Sequence, residues 1–253
     1  YCDTNNNPDK NKNCRPARLA PTGPKGNLNL ARAHWLTRDT LAWNASAPSD
    51  SSYYLHSDPD GALKLTPEGV SGGTAVPLTV DPAGLSPALK AAFPHLATYT
   101  ALKLDSSAKA SVAAMLEGQL ALSVVGADSK PIDATSVQIP GVLDDLYSYS
   151  GQLGVSYTGA VPTLRVWAPT ARDVRLLLFD DSNPATTSTT VAMSHDADSG
   201  VWTATGTADW TGKFYLYEVD VFVRQTGKVE TNRVTDPYSI SLSTNSQRSQ
   251  IVD

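Results

Sequence analysis

The sequence has little cysteine, no local excess of positive charge and no long apolar run. The net charge is −5 at pH 7, and Lys and Arg are scattered, which argues against nucleic acid as the main partner because phosphate binding needs a basic stripe. No apolar stretch approaches the roughly 20 residues of a membrane span, so we expect no membrane-spanning helix. A length of 253 residues suggests one or two domains.

Two cysteines occur, Cys2 and Cys14, both in an N-terminal extension that we place at residues 1–25. The residues between them are too polar to build a core, so a disulfide would order them. Closing a loop of about 15 residues is worth roughly 3 kcal/mol in the chain-entropy model. This disulfide predicts a secreted or periplasmic location. Two free thiols on a disordered tail are the alternative.

The same extension resembles a calcium loop only weakly. Five oxygen-bearing residues alternate along it: Asp3, Asn5, Asn7, Asp9 and Asn11. A full loop needs a Gly at its sixth position and a bidentate Glu at its twelfth, and both are missing. We therefore expect no cofactor, with calcium as a weak candidate.

Common catalytic motifs are also missing. Glycoside hydrolysis needs two carboxyl groups facing each other across the scissile bond, but the close acidic pairs here lie in turns, where acids usually act as turn formers. The histidines show no metal-ligand spacing, and no nucleophile elbow is present. The residues considered are Asp58, Asp60, Asp144, Asp145, Asp180, Asp181, His34, His56, His95 and His195. We predict no catalytic residue and no metal site.

Residues 26–140 read as a β-rich first domain with two short helices. Aromatic-centred strands flank an Arg-Asp turn in residues 34–43. Ser86 can cap a helix whose first position is Pro87. An Ala-rich run at residues 107–117 predicts a second helix that stops at Gly118.

Residues 141–160 read as a linker docked on the protein, because they are too apolar to hang free. Residues 161–253 contain short alternating strands separated by turns, which predicts an antiparallel sandwich. The last residues read as a final strand with no polar tail, so we expect this chain to be a piece of a longer polypeptide.

Several strings together resemble the N-terminal region of pullulanase and limit dextrinase-type starch-debranching enzymes of glycoside hydrolase family 13. The strings are HWLTRDTLAWN at residues 34–44, QIPGVLDDLYSY at 138–149, LRVWAPTA at 164–171, YLYEVDV at 215–221 and VTDPY at 234–238. The resemblance runs from about residue 30 to the end of the chain.

This resemblance implies an N-terminal β domain followed by an immunoglobulin-like sandwich similar to a family 48 carbohydrate-binding module. It also implies a catalytic barrel, downstream or in a second chain, that hydrolyses α-1,6-glucosidic branch links in pullulan, starch or limit dextrins. The barrel's aspartate nucleophile, glutamate acid and third aspartate have no counterpart in these residues.

Binding of α-glucan is the function that the sandwich residues themselves suggest, because sugar rings stack on aromatic side chains. The candidates are Trp210, Trp202, Tyr215 and Tyr217, although aromatic residues on alternating strands usually lie in a core. Glycogen-binding modules of this family carry a Trp in the loop after the second strand. The corresponding residues, 180–184, contain none.

We therefore interpret the chain as a non-catalytic region that supports a catalytic barrel and binds α-glucan only as a secondary role. A free-standing starch- or glycogen-binding module is the first alternative. A purely structural surface sandwich is the second.

Overall fold

The computed structural model describes residues 23–253, so the predicted Cys2–Cys14 disulfide and the weak calcium loop lie outside the described residues. No helix in residues 23–253 is both long enough and apolar enough to cross a membrane. The predicted fold class is confirmed: a β-rich domain with short helices precedes an antiparallel β-sandwich.

The first domain is a closed barrel of seven strands in the order β1-β2-β7-β6-β3-β8-β9, beside a small ribbon formed by β4 and β5. Its strands are β1 (Asn27–Thr37), β2 (Thr40–Trp43), β3 (Ser52–Asp58), β4 (Lys64–Thr66), β5 (Gly69–Ser71), β6 (Thr74–Asp81), β7 (Thr100–Leu104), β8 (Gln119–Val125) and β9 (Pro131–Gln138). The parallel pairing of β1 with β9 closes the barrel, which leaves no free sheet edge.

Alternation along the strands fills the barrel. In β8, Leu120, Leu122 and Val124 point into one core together with Trp35 and Trp43. Successive side chains of a strand point to opposite faces, so Ala121 and Ser123 lie on the other face.

The first domain also contains the short helices α1 (Pro87–Ala92), α2 (Val112–Leu116) and α3 (Pro140–Leu146), with 3-10 helices at Pro94–Leu96 and Ser106–Ser111. The Ser86 hydroxyl accepts from the backbone N–H of Leu89 at 3.2 Å, as predicted for a cap. The second predicted helix begins as a 3-10 turn and becomes α-helical only at Val112. The predicted linker contains α3, which buries Val142 against the barrel, and the first sandwich strand.

The second domain packs two sheets over one core. One sheet has the order β10-β11-β15-β14, and the other has the order β13-β12-β16-β17, with β18 paired to β16. The strands are β10 (Gly154–Thr158), β11 (Val161–Trp167), β12 (Ala171–Phe179), β13 (Thr189–Ala192), β14 (Ser194–Asp196), β15 (Val201–Thr205), β16 (Phe214–Val223), β17 (Lys228–Val234) and β18 (Ser249–Gln250). Single 3-10 turns lie at Ala208–Trp210 and Thr244–Ser246.

Arg172, near the start of β12, joins the two domains. Its guanidinium donates to the backbone carbonyl of Pro59 and, at 3.4 Å, to that of Glu117. The same group lies 3.4 Å from the carboxylate of Asp60. One side chain of the sandwich thus binds two separate turns of the barrel.

Close packing continues around Arg172. Tyr147 is buried in the barrel core, and Trp167 of the sandwich packs against that core. Gly61, at φ +82°, lies so close to Gly227 that a Cβ would overlap the Gly227 carbonyl and reach the Phe222 ring at 3.0 Å. Only glycine tolerates both this φ and this approach, so the two domains are fitted to each other at this point.

We expect Arg172→Ala to lower the free energy of unfolding by about 1–2 kcal/mol, because hydrogen bonds to charged groups stabilise by about 1.5–3 kcal/mol and this arginine is partly exposed. Chemical denaturation measures the loss. Arg233→Ala is the matched control, since Arg233 is exposed and pairs with Glu218 within one sheet; its effect should stay within about 0.5 kcal/mol. Equal losses in the two variants would contradict the role of Arg172.

A second prediction concerns His56, whose ring nitrogen Nε2 lies 2.8 Å from the Ser123 hydroxyl in a buried site. Burial lowers the pKa of His56 to about 4, below the ordinary value of about 6.5. Between these values the unfolded chain binds more protons than the folded one, so stability should rise with pH from about 4 to 6.5.

The variant His56→Gln should show a shallower dependence of unfolding free energy on pH in that window, with exposed His195→Gln as the control. Urea denaturation at several pH values measures the slope. An unchanged slope in His56→Gln would overturn this assignment.

Candidate functional site

Of the acidic residues singled out in the sequence, Asp58 and Asp181 stabilise the turns in which they lie, whereas Asp144 and Asp145 lie on α3 and not in a turn as predicted. Asp58 accepts hydrogen bonds from the backbone N–H groups of Asp60 and Ala62 at 2.9 and 2.8 Å. Asp145 accepts from the backbone N–H of Arg38 at 2.7 Å. Asp181 organises the loop after β12 by accepting from the Asn183 backbone at 2.9 Å and the Thr186 hydroxyl at 2.6 Å. Asp180 pairs with Lys213 at 2.9 Å.

Two of the histidines, His34 and His95, are neighbours, whereas His56 lies in β3 and His195 in β14. His34 lies edge-on to His95, with 5.9 Å between the ring centroids, and His195 stacks on Trp202 at 4.4 Å. Burial, followed by the charge of His95, lowers the pKa of His34. Within residues 23–253, no group of three or more His, Cys, Asp or Glu side chains is placed to hold a metal ion.

Three of the four predicted sugar-binding aromatics lie inside the sandwich. Tyr215 and Tyr217 have no exposed surface, and Trp202 is 5% exposed. The Trp202 indole N–H donates to the carbonyl of Ala168 at 3.2 Å. These three side chains present no open face on which a sugar ring could stack.

Trp210 is the remaining candidate, and it is half-buried on the 3-10 turn before β16. Its indole ring packs over Gly206, where a Cβ would overlap the ring. Lys213 lies three residues after Trp210 and pairs with Asp180 at 2.9 Å and with Asp209 at 3.6 Å. We predict that this partly open aromatic, together with the neighbouring cation and carboxylates, contacts the hydroxyls of a sugar.

The segment that follows β17 is fixed by a buried carboxylate. Asp236, 4% exposed, accepts hydrogen bonds from the hydroxyls of Tyr215 at 2.7 Å and Tyr217 at 3.3 Å. Its other oxygen accepts from the Tyr238 backbone N–H at 2.8 Å, and its own N–H donates to the Ser249 hydroxyl at 2.9 Å. Burial raises the pKa of Asp236, while the donated hydrogen bonds oppose that rise.

A buried cation fixes the other end of the same segment. Arg248 is 6% exposed, and its guanidinium lies 3.6 Å from the centre of the Phe179 ring. It donates to the backbone carbonyls of Asp181 and Thr186 at 2.8 and 3.2 Å. The cation therefore ties the C-terminal segment to the loop after β12.

Between these two anchors the chain presents an apolar surface. Tyr238, Ile240 and Leu242, which we name the apolar stripe, are 41%, 83% and 46% exposed. They occupy alternate positions of a segment whose backbone is hydrogen-bonded to β18. Exposed apolar side chains grouped on one segment, unlike singly scattered ones, indicate an interaction site.

A cleft of about 890 Å³ lies between the two domains. The starts of β1 and β8 and the end of β9 form one wall, and the turn that joins β16 to β17 forms the other. Phe222 and Arg224 approach from the sandwich side, whereas Asn29 and Leu65 approach from the barrel side. Sequence reasoning missed this cleft because its walls come from residues about 200 positions apart.

Models of known protein families match both domains. The model described as the pullulanase N2 domain matches residues 30–145. The model of carbohydrate-binding module 48, the isoamylase N-terminal domain, matches residues 152–239.

Whole proteins show the same relationship over part of their length. A pullulanase of Klebsiella pneumoniae is 37% identical over 88% of this chain and 20% of its own length. Pullulanase 1, chloroplastic, of Arabidopsis thaliana is 31% identical over 89% of this chain and 23% of its own. The crystal structure of ligand-free PulA from Klebsiella pneumoniae superposes with a TM-score of 0.81 at 34% identity, covering 90% of this chain and 21% of that one. The chain thus spans about a fifth of the relatives that it matches.

We expect Asp236→Ala to destabilise the protein by about 1–3 kcal/mol, because two buried tyrosine hydroxyls lose their acceptor. Amide hydrogen exchange should accelerate in residues 238–248, which that carboxylate anchors. Asp236→Asn keeps an acceptor oxygen and should cost less, while Asp198→Ala in an exposed turn is the surface control. Unchanged exchange in residues 238–248 of Asp236→Ala would contradict the anchoring role.

Proposed function

Because this chain belongs to the pullulanase family, as an N2 domain followed by a family 48 carbohydrate-binding module, we propose that it is the non-catalytic N-terminal region of a pullulanase-type enzyme. The enzyme would hydrolyse α-1,6-glucosidic branch links in pullulan, starch or limit dextrins. In this proposal the described domains support a catalytic barrel that carries the reacting carboxyl groups.

The apolar stripe is the observation that carries the supporting role. Ile240 exposes more of its side chain than any other large apolar residue described, yet the segment around it is held by two buried charged residues. In an isolated domain, an apolar side chain that is held in water on an ordered segment contributes no stabilising free energy. It is favourable when a neighbouring surface covers the side chain, since burying an Ile is worth about 1.5–3 kcal/mol. We assign that neighbour to the catalytic barrel.

The hydrogen bonds of Asp58, Asp145 and Asp181 to backbone N–H groups support the non-catalytic part of the proposal. Each of these carboxylates is already committed to backbone N–H groups. The relatives named above have about four fifths of their length outside the matched region. That length is sufficient for a catalytic barrel.

Binding of α-glucan is a secondary part of the proposal and rests on Trp210 and Lys213. The rival function is a free-standing starch- or glycogen-binding module with no enzyme attached. Titration with maltooligosaccharides or cyclodextrin distinguishes them: tight binding that Trp210→Ala abolishes would favour the rival, whereas weak or absent binding at Trp210 fits a supporting domain.

A secreted or periplasmic location also belongs to the proposal. It rests on the predicted Cys2–Cys14 disulfide, because disulfides persist in oxidising compartments. One relative is described as chloroplastic. Mass spectrometry of the natural protein under non-reducing conditions would identify the bond.

The docking role is tested in a chimera in which this chain replaces the matched region of the Klebsiella pneumoniae pullulanase. We expect Ile240→Lys to destabilise the chimera by about 1.5–3 kcal/mol, because a buried contact would be lost. The same substitution in the isolated chain should change stability by less than about 0.5 kcal/mol, because Ile240 is exposed there. Thermal unfolding and pullulan hydrolysis measure the two effects.

Val80→Lys serves as the matched control. Val80 is also an exposed apolar residue, but it lies in β6 of the first domain and not on the apolar stripe. It should be nearly neutral in both settings. Equal, small effects of Ile240→Lys in the chimera and in the isolated chain would refute docking through the apolar stripe.

A further inference from the structure

The cleft between the two domains has the dimensions of a small-molecule site. Its volume of about 890 Å³ falls within the roughly 300–1,000 Å³ that ligand pockets occupy, and domain interfaces are a preferred location for such pockets. The contacts of Arg172 with the barrel and the close approach of Gly61 to Gly227 hold its two walls at a fixed separation.

The lining of the cleft is amphipathic and almost uncharged. Leu65, Ile139 and Phe222 supply apolar surface, whereas Asn29, Gln225 and Arg224 supply hydrogen-bonding groups. Among the described residues that line it, Arg224 alone carries a charge, and no carboxylate is present. A cationic ligand would find no counter-charge in this lining.

Some polar groups of the lining already make hydrogen bonds within the protein, and others are free to bond a ligand. Gln119 is bonded to the backbone of Leu63 at 2.8 Å, and Gln138 donates to the carbonyl of Ala31 at 2.8 Å. The side chain of Arg224 lies on the exposed turn between β16 and β17 and bonds to no other described residue. Its guanidinium has five N–H donors in a planar fork, and the adjacent Gln225 amide offers both donors and an acceptor.

A sugar fits this combination better than a phosphorylated or strongly apolar ligand. The ring of Phe222 is a flat apolar surface for the apolar face of a pyranose, and hydroxyl groups both donate to and accept from amides and guanidinium. A phosphate group would need several convergent donors or cations, whereas the lining has one cation. A strongly apolar ligand would leave the amides of this cleft desolvated without partners.

We propose that the cleft binds a short segment of linear α-glucan, with Phe222 stacking on a sugar ring and Arg224 and Gln225 bonding its hydroxyls. The choice of an α-linked glucan rests on the proposed function. The site is distinct from Trp210, which lies on the 3-10 turn before β16, outside the lining of the cleft. Because its walls come from both domains, bound glucan would stabilise their contact through linkage.

The test is calorimetric titration of the 253-residue chain with maltotetraose, with β-linked cellotetraose as the stereochemical control. We expect Phe222→Ala to weaken binding at least tenfold, and the double variant Arg224→Ala and Gln225→Ala to weaken it about fivefold. The double variant keeps the test valid if Phe222→Ala perturbs packing near Gly61, because both residues are exposed on a turn. Lys228→Ala, exposed beside that turn and outside the cleft, should bind like the unsubstituted chain.

Three results would overturn the cleft assignment. They are no binding of maltotetraose at millimolar concentration, equal binding of cellotetraose, and binding that survives both cleft variants but is lost in Trp210→Ala. The last result would leave α-glucan binding by the module intact and would refute only the cleft. The chimera experiment on Ile240 involves no oligosaccharide binding, so it tests the supporting role independently.

Discussion

The hydrogen bonds of Arg172 to the backbone carbonyls of Pro59 and Glu117 join the two domains and hold them beside the cleft. The guanidinium bridges segments of the barrel that lie more than fifty residues apart in sequence. Glycines at 61 and 227 allow the backbones to approach at the same interface. This interface fixes both the width of the cleft and the direction in which the sandwich presents its C-terminal segment.

In the C-terminal segment, two buried charged residues fix the position of the backbone. Asp236 and Arg248 are both almost fully buried, and they do not contact each other in the described hydrogen bonds and ion pairs. Each is satisfied by hydrogen bonds, from tyrosine hydroxyls and backbone in one case and to backbone carbonyls in the other. Because a buried charge without partners is costly, these bonds hold the segment in one place. The apolar stripe is the surface that this arrangement presents.

Much of the fold could be predicted from local signals in the sequence. Ser86 and Pro87 specify the start of α1, and alternation along β16 specifies a strand. Alternation also indicates that Tyr215 and Tyr217 point inward, because Glu218 and Asp220 occupy the opposite face of β16. An aromatic face opposite a charged face belongs to the core, which argues against sugar binding at these tyrosines.

Features that depend on distant residues could not be predicted. Closure of the barrel requires residues 27–34 to pair in parallel with residues 135–138, and no local pattern encodes that partner. The cleft likewise unites residues near 27 with residues near 225, so it exists only once both domains have folded and docked. Pro140 occupies the first position of α3 and is a start signal for a helix. The apolar run around it instead favours the prediction of a docked linker.

If the two domains form one rigid scaffold, differential scanning calorimetry of the unmodified chain should show a single unfolding transition. Its calorimetric and van't Hoff enthalpies should agree, as expected for one cooperative unit. Two separate transitions, one for the barrel and one for the sandwich, would contradict it. In that case the interface around Arg172 would be too weak to hold the cleft open or to fix the direction of the apolar stripe.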